Sequence, residues 1–115
     1  MTKLPEAVRG RVETRLSVYC EERIPDRVRH QVRLTYRIRG SSVTLIEQCP
    51  ALMDPDNWVD IVVAQFRLRE EDSRWVLYWA DRNSRWHEYD DLEPRTGLDD
   101  LLEEVDRDPT GIFWG

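Results

Sequence analysis

The chain has 115 residues, of which 40% are hydrophobic and 35% are charged, and its formal net charge is −6. A chain of this length and composition buries about two-thirds of its extended surface on folding, which excludes intrinsic disorder and indicates one globular domain over residues 1–115. No apolar run approaches the roughly 18 residues that span a bilayer, and the first residues lack the apolar segment of a secretory signal. We therefore expect a soluble, cytoplasmic protein with no membrane partner.

The first predicted element is an amphipathic helix that starts near Pro5 and ends before Pro25. Proline suits the first turn of a helix and cannot continue one. Apolar residues recur in this segment at four-residue spacing, with Tyr19 beside them: Val8, Val12, Leu16, Cys20 and Ile24. Such a stripe is more typical of one side of a domain core than of a helix that binds a partner.

A hairpin of two strands is predicted next. From Val32 the apolar residues alternate with Thr35 and with the arginines at positions 33, 37 and 39, which indicates a half-buried strand. Gly40–Ser41 suits a two-residue turn, and that turn would place Ile38 opposite Val43. Residues 49–57 contain two prolines and three Asp or Asn residues, so we expect a loop there.

Three more strands complete the predicted sheet. Trp58–Leu68 is apolar on both faces at its start, so we expect that end to be covered on both sides. Trp75–Ala80 is the fourth strand, and Asn83–Ser84 could form a two-residue turn into a fifth strand from Trp86 to about Tyr89. The pattern is that of a five-stranded antiparallel meander.

A short acidic helix and an apolar tail end the chain. Thr96 is the predicted helix cap, and Leu98, Leu101, Leu102 and Val105 form the apolar face. Residues 108–111 have the chemistry of a turn. The tail that follows, Ile112–Trp114, is apolar enough that we expect it to dock on the domain, and it could do so as an edge strand. The predicted fold class is α+β: an N-terminal amphipathic helix packed on a five-stranded antiparallel β-meander, with a short acidic C-terminal helix and a docked apolar tail.

Charge is distributed unevenly along the chain. Residues 1–48 carry ten basic and six acidic side chains, a charge of +4, whereas residues 49–115 carry seven basic and seventeen acidic side chains, a charge of −10. This asymmetry fits an anionic partner at one end, or neutralisation of the two halves within the fold or a dimer. Neutralisation of the two halves by each other, which we call the internal explanation, needs fewer assumptions than an anionic partner.

Neither the cysteines nor the acidic loop has the pattern of a metal site. Cys20 and Cys49 form no CxxC motif, and the four Cys and His residues come from separate elements, so we expect reduced thiols and no zinc. Asp54, Asp56 and Asp60 could hold a hard cation, but a solvated loop is the simpler interpretation. We predict no cofactor, and no motif identifies a catalytic residue.

The segment from Trp79 to Tyr89 is the best candidate for a site. The two-residue turn would oppose Asp81 to Trp86, which puts Trp79 and Trp86 on the core face and keeps His87 away from Asp81. The other face would mix rings with polar and cationic groups, with the first strand joining it if the sheet curls. The hypothetical ligand-binding residues on that face are Arg33, Arg37, Arg67, Tyr78, His87 and Tyr89.

Three classes of function fit this face. A non-catalytic binding or protein-interaction domain, including a homo-oligomer, needs the fewest special residues. Arginines and aromatic rings also suit single-stranded nucleic acid, although the net charge of −6 disfavours it. A small enzyme using the hairpin from Asp81 to His87 is the weakest alternative. A cleft converging on His87 would favour the enzyme, and a flat open sheet would favour binding.

Two stretches resemble a known family of small bacterial proteins. They are Tyr78-Trp79-x-Asp81-Arg82-Asn83-x-x-Trp86-His87-x-Tyr89 and the terminal Asp106-x-Asp108-Pro109-Thr110-Gly111-Ile112-Phe113-Trp114-Gly115. Arg33-Leu34-x-Tyr36 and the first helix agree with the same family pattern. The family is the domain of unknown function 3024, and the resemblance covers nearly the whole chain. It implies bacterial origin, and it supplies no activity, ligand or catalytic residue.

Overall fold

The computed structural model describes residues 3–114. Helix α1 (Glu6–Arg23) and a short 3-10 helix (Asp26–Val28) precede five strands, β1 (Arg33–Arg39), β2 (Ser42–Pro50), β3 (Trp58–Leu68), β4 (Trp75–Ala80) and β5 (Trp86–Glu88), and helix α2 (Leu98–Arg107) follows them. The strands form one antiparallel sheet in chain order, which confirms the predicted α+β fold. No helix within the described residues is long and apolar enough to cross a bilayer.

Both helices contribute to the core on one face of the sheet. Leu16 of α1, Phe66 of β3 and Leu101 of α2 are each 0% exposed and belong to the same apolar cluster. The C-terminal tail docks on this cluster through buried Phe113, as predicted, but the described tail residues form no strand. Gly115, which follows Trp114 at the end of the tail, lies outside the described residues. Helix α2 has Gly97 rather than the predicted Thr96 at its capping position.

The two halves of the chain neutralise each other where the helices meet. Arg15 and Arg23 of α1 pair with Asp99 and Asp106 of α2. The Tyr19 hydroxyl also donates a hydrogen bond of 2.6 Å to Asp106. The internal explanation of the charge asymmetry therefore holds for these pairs, although exposed ion pairs add little to stability.

The first hairpin has the predicted register. Gly40 adopts a φ of 60°, which glycine tolerates without a steric penalty, and Ile38 stands opposite Val43. Strand β2 continues to Pro50, which pairs with Trp58, so the predicted loop begins two residues later than position 49.

A β-bulge divides the pair of strands β2 and β3. Leu45 pairs with Ala64 and Ile46 with Val62, which leaves Val63 as the extra residue. Beyond the bulge, Val59 is 37% exposed and Ile61 is 48% exposed. The expectation that both faces are covered at this end of β3 is wrong, because the hairpin extends past the helices.

The turn between β4 and β5 differs from the prediction. Three residues, 82–84, form the loop: the Asp81 N–H donates to the Arg85 carbonyl at 2.9 Å, and Ser84 adopts a φ of 61°. Trp86 therefore pairs with Ala80, whereas the two-residue turn would have paired it with Asp81. A shift of one residue moves every side chain of β5 to the opposite face of the sheet.

That shift corrects three placements. Trp86 lies on the face opposite the core, whereas it was predicted in the core. His87 pairs with Trp79, and the two rings stack at 4.7 Å between centroids. Tyr89 is only 3% exposed and belongs to the core cluster rather than to the polar face.

Candidate ligand-binding cleft

A cavity of about 620 Å³ opens on the sheet face opposite the helices, beside the Gly40–Ser41 turn. We call it the arginine cleft; its side chains are Arg37 and Arg39 from β1, Ser42 and Thr44 from β2, Val62, Gln65 and Arg67 from β3, and Trp86 from β5. Strands β1 and β5 are the two edges of the sheet. Because residues from both edges line one cavity, the sheet curls toward this face.

Hydrogen bonds fix the centre of the cleft. The Arg67 Nε donates to Gln65 Oε1 at 2.6 Å, and the Gln65 Nε2 donates to Thr44 Oγ1 at 2.9 Å. The Arg67 guanidinium also lies over the Tyr78 ring, 3.8 Å from its centroid. These contacts hold the guanidinium of Arg67 in one position, which would lower the entropy lost if an anion bound to it.

The cleft is cationic although the chain is acidic. Among the described residues, its lining includes three arginines and no carboxylate. Asp60 lies at the border, 3.6 Å from Arg37, and also accepts a hydrogen bond from Gln48. Within residues 3–114 this is the sole ion pair that an arginine of the cleft makes. A planar guanidinium can bind a carboxylate or phosphate through two parallel hydrogen bonds, so the cleft suits an anion.

Apolar residues lie beneath the polar side chains of this face. Ile46 is 2% exposed and Val76 is 3% exposed, yet neither belongs to the core cluster between sheet and helices. Val76 is the direct neighbour of Arg67, and Ile46 is paired with Val62. Long side chains that cover apolar neighbours with their stems explain this burial. The floor of the cleft is therefore apolar beneath its polar side chains.

The predicted site residues separate into three groups. Arg37 and Arg67 line the cleft, and Tyr78 supports Arg67 from below. Arg33 lies toward the other end of the same face, where it covers the Trp58 ring at 4.0 Å. His87 and Tyr89 are the residues that the shifted register removes from this face.

Among the charged and aromatic side chains that line the cleft, sequence reasoning missed Arg39 and Trp86. Arg39 lies two residues after Arg37 and six after Arg33, so the alternation of β1 already placed it on this face. Trp86 depends on the length of the preceding loop. The signal was Asp81, whose side chain accepts hydrogen bonds from the N–H groups of Asn83 and Arg85, a pattern typical of turns that start with Asp.

A second polar cluster lies on the opposite face. The His87 Nε2 is 2.7 Å from Asp81 Oδ2, so the pair that the two-residue turn excluded does form. This bond, with the N–H groups of Arg85 and Asn83, lowers the pKa of Asp81 to about 2. The side chain of His87 is 47% exposed. Since Trp86 rather than His87 lines the cleft, the pair and the cleft stand apart.

The described residues contain no group of three or more His, Cys, Asp or Glu side chains placed to hold a metal ion. Asp54 and Asp56 are exposed on their loop, and Asp60 is engaged by Gln48 and Arg37. Cys20 and Cys49 are both unpaired thiols. Burial raises the pKa of Cys20 to about 11, which makes this thiol a poor nucleophile.

One comparison with known proteins gives a match. The family model described as Domain of unknown function (DUF3024) matches residues 4–115. No curated protein and no solved structure matches the chain.

Proposed function

Because the chain belongs to the DUF3024 family, whose description names no activity, we propose a function from the cleft itself: a non-catalytic domain that binds a small anionic ligand bearing a planar ring. The observation that carries the proposal is that three guanidinium groups and one indole line the same cavity. Guanidinium groups bind phosphate or carboxylate, and an indole stacks on a planar ring. The volume of about 620 Å³ lies in the usual range of small-molecule sites.

A single nucleotide-sized ligand fits this face better than a nucleic acid strand. Recognition of a strand needs several rings on which successive bases stack. Arg67 covers one face of Tyr78, Arg33 covers one face of Trp58, and Tyr89 is buried. Trp86 is the ring that lines the cleft. The net charge of −6 also repels a long polyanion. A single phosphate would meet only the local positive charge of the three arginines in the cleft.

Binding is better supported than catalysis. The Asp81–His87 pair has the geometry of a base and its orienting carboxylate, but it lies on the other side of the sheet from the cleft. The cleft holds arginines, hydroxyls, an amide and an indole, none of which is a general base at neutral pH. The cleft can therefore hold and orient an anion, and it offers no group to take a proton from it.

The proposal is tested by titrating the protein with adenosine 5′-monophosphate, adenosine and inorganic phosphate while following tryptophan fluorescence and heat. We expect saturable binding of the nucleotide, weaker binding of phosphate and no binding of adenosine. Arg67→Gln should weaken nucleotide binding at least tenfold, because a charge-assisted contact of about 1.5–3 kcal/mol is lost. Trp86→Phe should keep binding and remove the fluorescence change.

The matched control is Arg82→Gln, which removes an exposed arginine of the β4–β5 loop that does not line the cleft. Its affinity should equal that of the unchanged protein. Equal affinities for adenosine and the nucleotide would contradict the role of the arginines. Tight binding of a single-stranded oligonucleotide, but of no mononucleotide, would replace the proposal with a nucleic-acid surface.

We also propose that this domain belongs to the cytoplasm of a bacterium. Bacterial origin is what the sequence resemblance implies. Free thiols at Cys20 and Cys49 are typical of a reducing compartment.

A further inference from the structure

Two large apolar side chains are fully exposed at the end of the β2–β3 hairpin. Leu52 is 100% exposed and Met53 is 97% exposed. The loop that carries them is ordered by its own backbone: the Ala51 N–H donates to Asn57 O at 2.8 Å, and the Asn57 N–H donates to Asp54 O at 2.9 Å. Leu52 and Met53 are adjacent, so they form one exposed apolar patch, and exposed apolar patches rimmed by polar residues mark interaction sites.

The surroundings of this pair indicate what it contacts. Asp54 and Asp56 lie in the same loop and are both exposed. Their carboxylates oppose insertion into an anionic lipid surface, which attracts basic segments. The same carboxylates favour a basic rim around an apolar recess. We call residues 51–57 the acidic tip.

The chain itself carries a recess of that kind. A cavity of about 390 Å³ lies between α1, the β3–β4 turn and the start of α2, and its apolar walls are Pro5, Val8, Val12, Leu68, Trp75 and Leu98. Arg11, Arg15 and the carboxylate of Asp99 stand at its border, which leaves the border with a net positive charge. Arg15 pairs with Asp99, whereas Arg11 is exposed and makes no ion pair within the described residues. We call this cavity the helix pocket.

The acidic tip and the helix pocket lie at opposite ends of the sheet. Leu68 of the pocket donates its N–H to Ser41, at the turn where β2 begins, whereas the tip follows Pro50, where β2 ends. The nine residues of β2 separate the two ends by roughly 30 Å at about 3.3 Å per residue. A chain therefore cannot place its own tip in its own pocket.

We propose that two copies of the chain associate antiparallel, each inserting Leu52 and Met53 into the helix pocket of the other, with Asp54 or Asp56 facing Arg11. The molecule is elongated, with extents of 45 × 28 × 27 Å, so antiparallel copies bring each tip to the opposite end of its neighbour. Two identical contacts related by a two-fold axis close the assembly at a dimer. This association is separate from ligand binding, because the helix pocket and the arginine cleft lie on opposite faces of the sheet.

The first test is the molar mass of the full chain by light scattering after size exclusion, over a wide range of concentration. We expect the mass to rise to that of a dimer and no further. The double variant Leu52→Ser, Met53→Ser should remain a monomer with an unchanged circular dichroism spectrum. The matched control is Val18→Ser, which removes a 43% exposed apolar side chain of α1 that does not line the helix pocket.

Complementation identifies the contact more directly. Arg11→Glu should also abolish the dimer, because it turns attraction to the tip into repulsion. An equimolar mixture of the tip variant and Arg11→Glu should form a mixed dimer, since one intact tip still meets one intact pocket. Combining Arg11→Glu with Asp54→Lys and Asp56→Lys in one chain should restore self-association.

Several outcomes would overturn this proposal. A monomer at every concentration excludes it, and so does a dimer that survives the tip variant. A dimer that the tip variant abolishes but that no mixture restores places the tip against some other surface. Sedimentation of the monomer with phosphatidylcholine vesicles, lost in the tip variant, would assign Leu52 and Met53 to a membrane instead.

Discussion

The Tyr89 hydroxyl donates a hydrogen bond of 2.7 Å to the Glu104 carboxylate, and both residues are buried. This bond joins the chain after β5 to helix α2. Tyr89 also contacts Phe113, with 5.2 Å between ring centroids. The Glu104 carboxylate also lies 3.9 Å from the Arg107 guanidinium. A largely buried carboxylate is costly unless it is hydrogen-bonded or paired, so the Tyr89 hydroxyl offsets part of the cost of burying Glu104.

Replacing Tyr89 with phenylalanine should destabilise the fold by about 1–3 kcal/mol, because a buried carboxylate loses a donor while the ring keeps its packing. Urea unfolding followed by circular dichroism measures this change. Tyr78→Phe is the control, since the structure gives the Tyr78 hydroxyl no hydrogen bond within the described residues, and it should change stability little. Equal losses for the two variants would contradict a special role for the bond to Glu104.

The stability of the fold should fall at alkaline pH because the buried tyrosines Tyr19 and Tyr89 resist ionisation in the folded state. Burial raises the pKa of Tyr89 from its ordinary value of 10.0 to about 12, and burial likewise raises the pKa of Tyr19. Between these values the unfolded chain releases a proton that the folded chain keeps, so stability decreases as pH rises. The contribution is fully present below pH 10 and is lost progressively as pH approaches 12.

Urea midpoints measured at neutral pH and at several values above pH 10 test this slope. Tyr89→Phe removes one of the two groups, so its stability should fall less steeply with pH than that of the unchanged chain. An identical slope in the variant would show that Tyr89 does not contribute to the alkaline loss.

The sequence predicted the sheet well because its local signals agree. Gly40 supplies the turn conformation that the first hairpin needs, and the alternation of β1 independently requires the same register. Both signals place Arg37 on the face opposite the core, and Arg37 lies in the cleft. The fold was thus predictable wherever turn chemistry and alternation specify the same pairing.

The β4–β5 hairpin lacked that agreement. Both Asn83–Ser84 as a two-residue turn and Arg82–Ser84 as a three-residue loop are compatible with the residues, and the choice decides which side every residue of β5 faces. Tryptophan and tyrosine fit either face, so alternation could not decide. The carboxylate of Asp81, which caps the longer loop, favours the observed register. The cleft was therefore only half predictable.

The Asp81–His87 pair gives a direct test of that loop. The hydrogen bond from His87 is the largest cause of the lowered pKa of Asp81, which is about 2 against an ordinary 3.8. In His87→Ala the Asp81 carboxyl should therefore titrate closer to 3.8, as measured by carbon NMR. His30→Ala is the control and should leave this titration unchanged. A pKa near 3.8 in the unchanged chain would contradict the observed geometry.

The Asp81–His87 pair also determines how the stability of the fold changes at acidic pH. A lowered carboxyl pKa means that the folded state holds its proton less tightly than the unfolded state. The stabilisation from Asp81 is therefore present above pH 3.8 and is lost as pH falls toward about 2. His87→Ala should reduce this part of the acid dependence, which urea midpoints at acidic pH would report.

Asp108 ends helix α2 and holds the C-terminal tail. Its backbone φ is 40°, in the left-handed region, and its two carboxylate oxygens accept the N–H groups of Phe113 and Trp114 at 3.1 and 2.8 Å. The Trp114 Nε1 then donates to the Val105 carbonyl at 2.9 Å. One residue thus supplies both the unusual backbone conformation and the two acceptors that fold the tail back on the helix.

Three substitutions at this position separate the two roles. Asp108→Ala loses both hydrogen bonds, and alanine in the left-handed region has no polar side chain to bond the local backbone. Its free energy of unfolding should therefore fall by about 2–4 kcal/mol. Asp108→Asn keeps one acceptor and tolerates this φ, so its loss should be about 1 kcal/mol. Asp108→Gly loses the acceptors but adopts the conformation freely, which places it between them. Urea unfolding ranks the three, and equal stability of the alanine and asparagine variants would show that neither role anchors the tail.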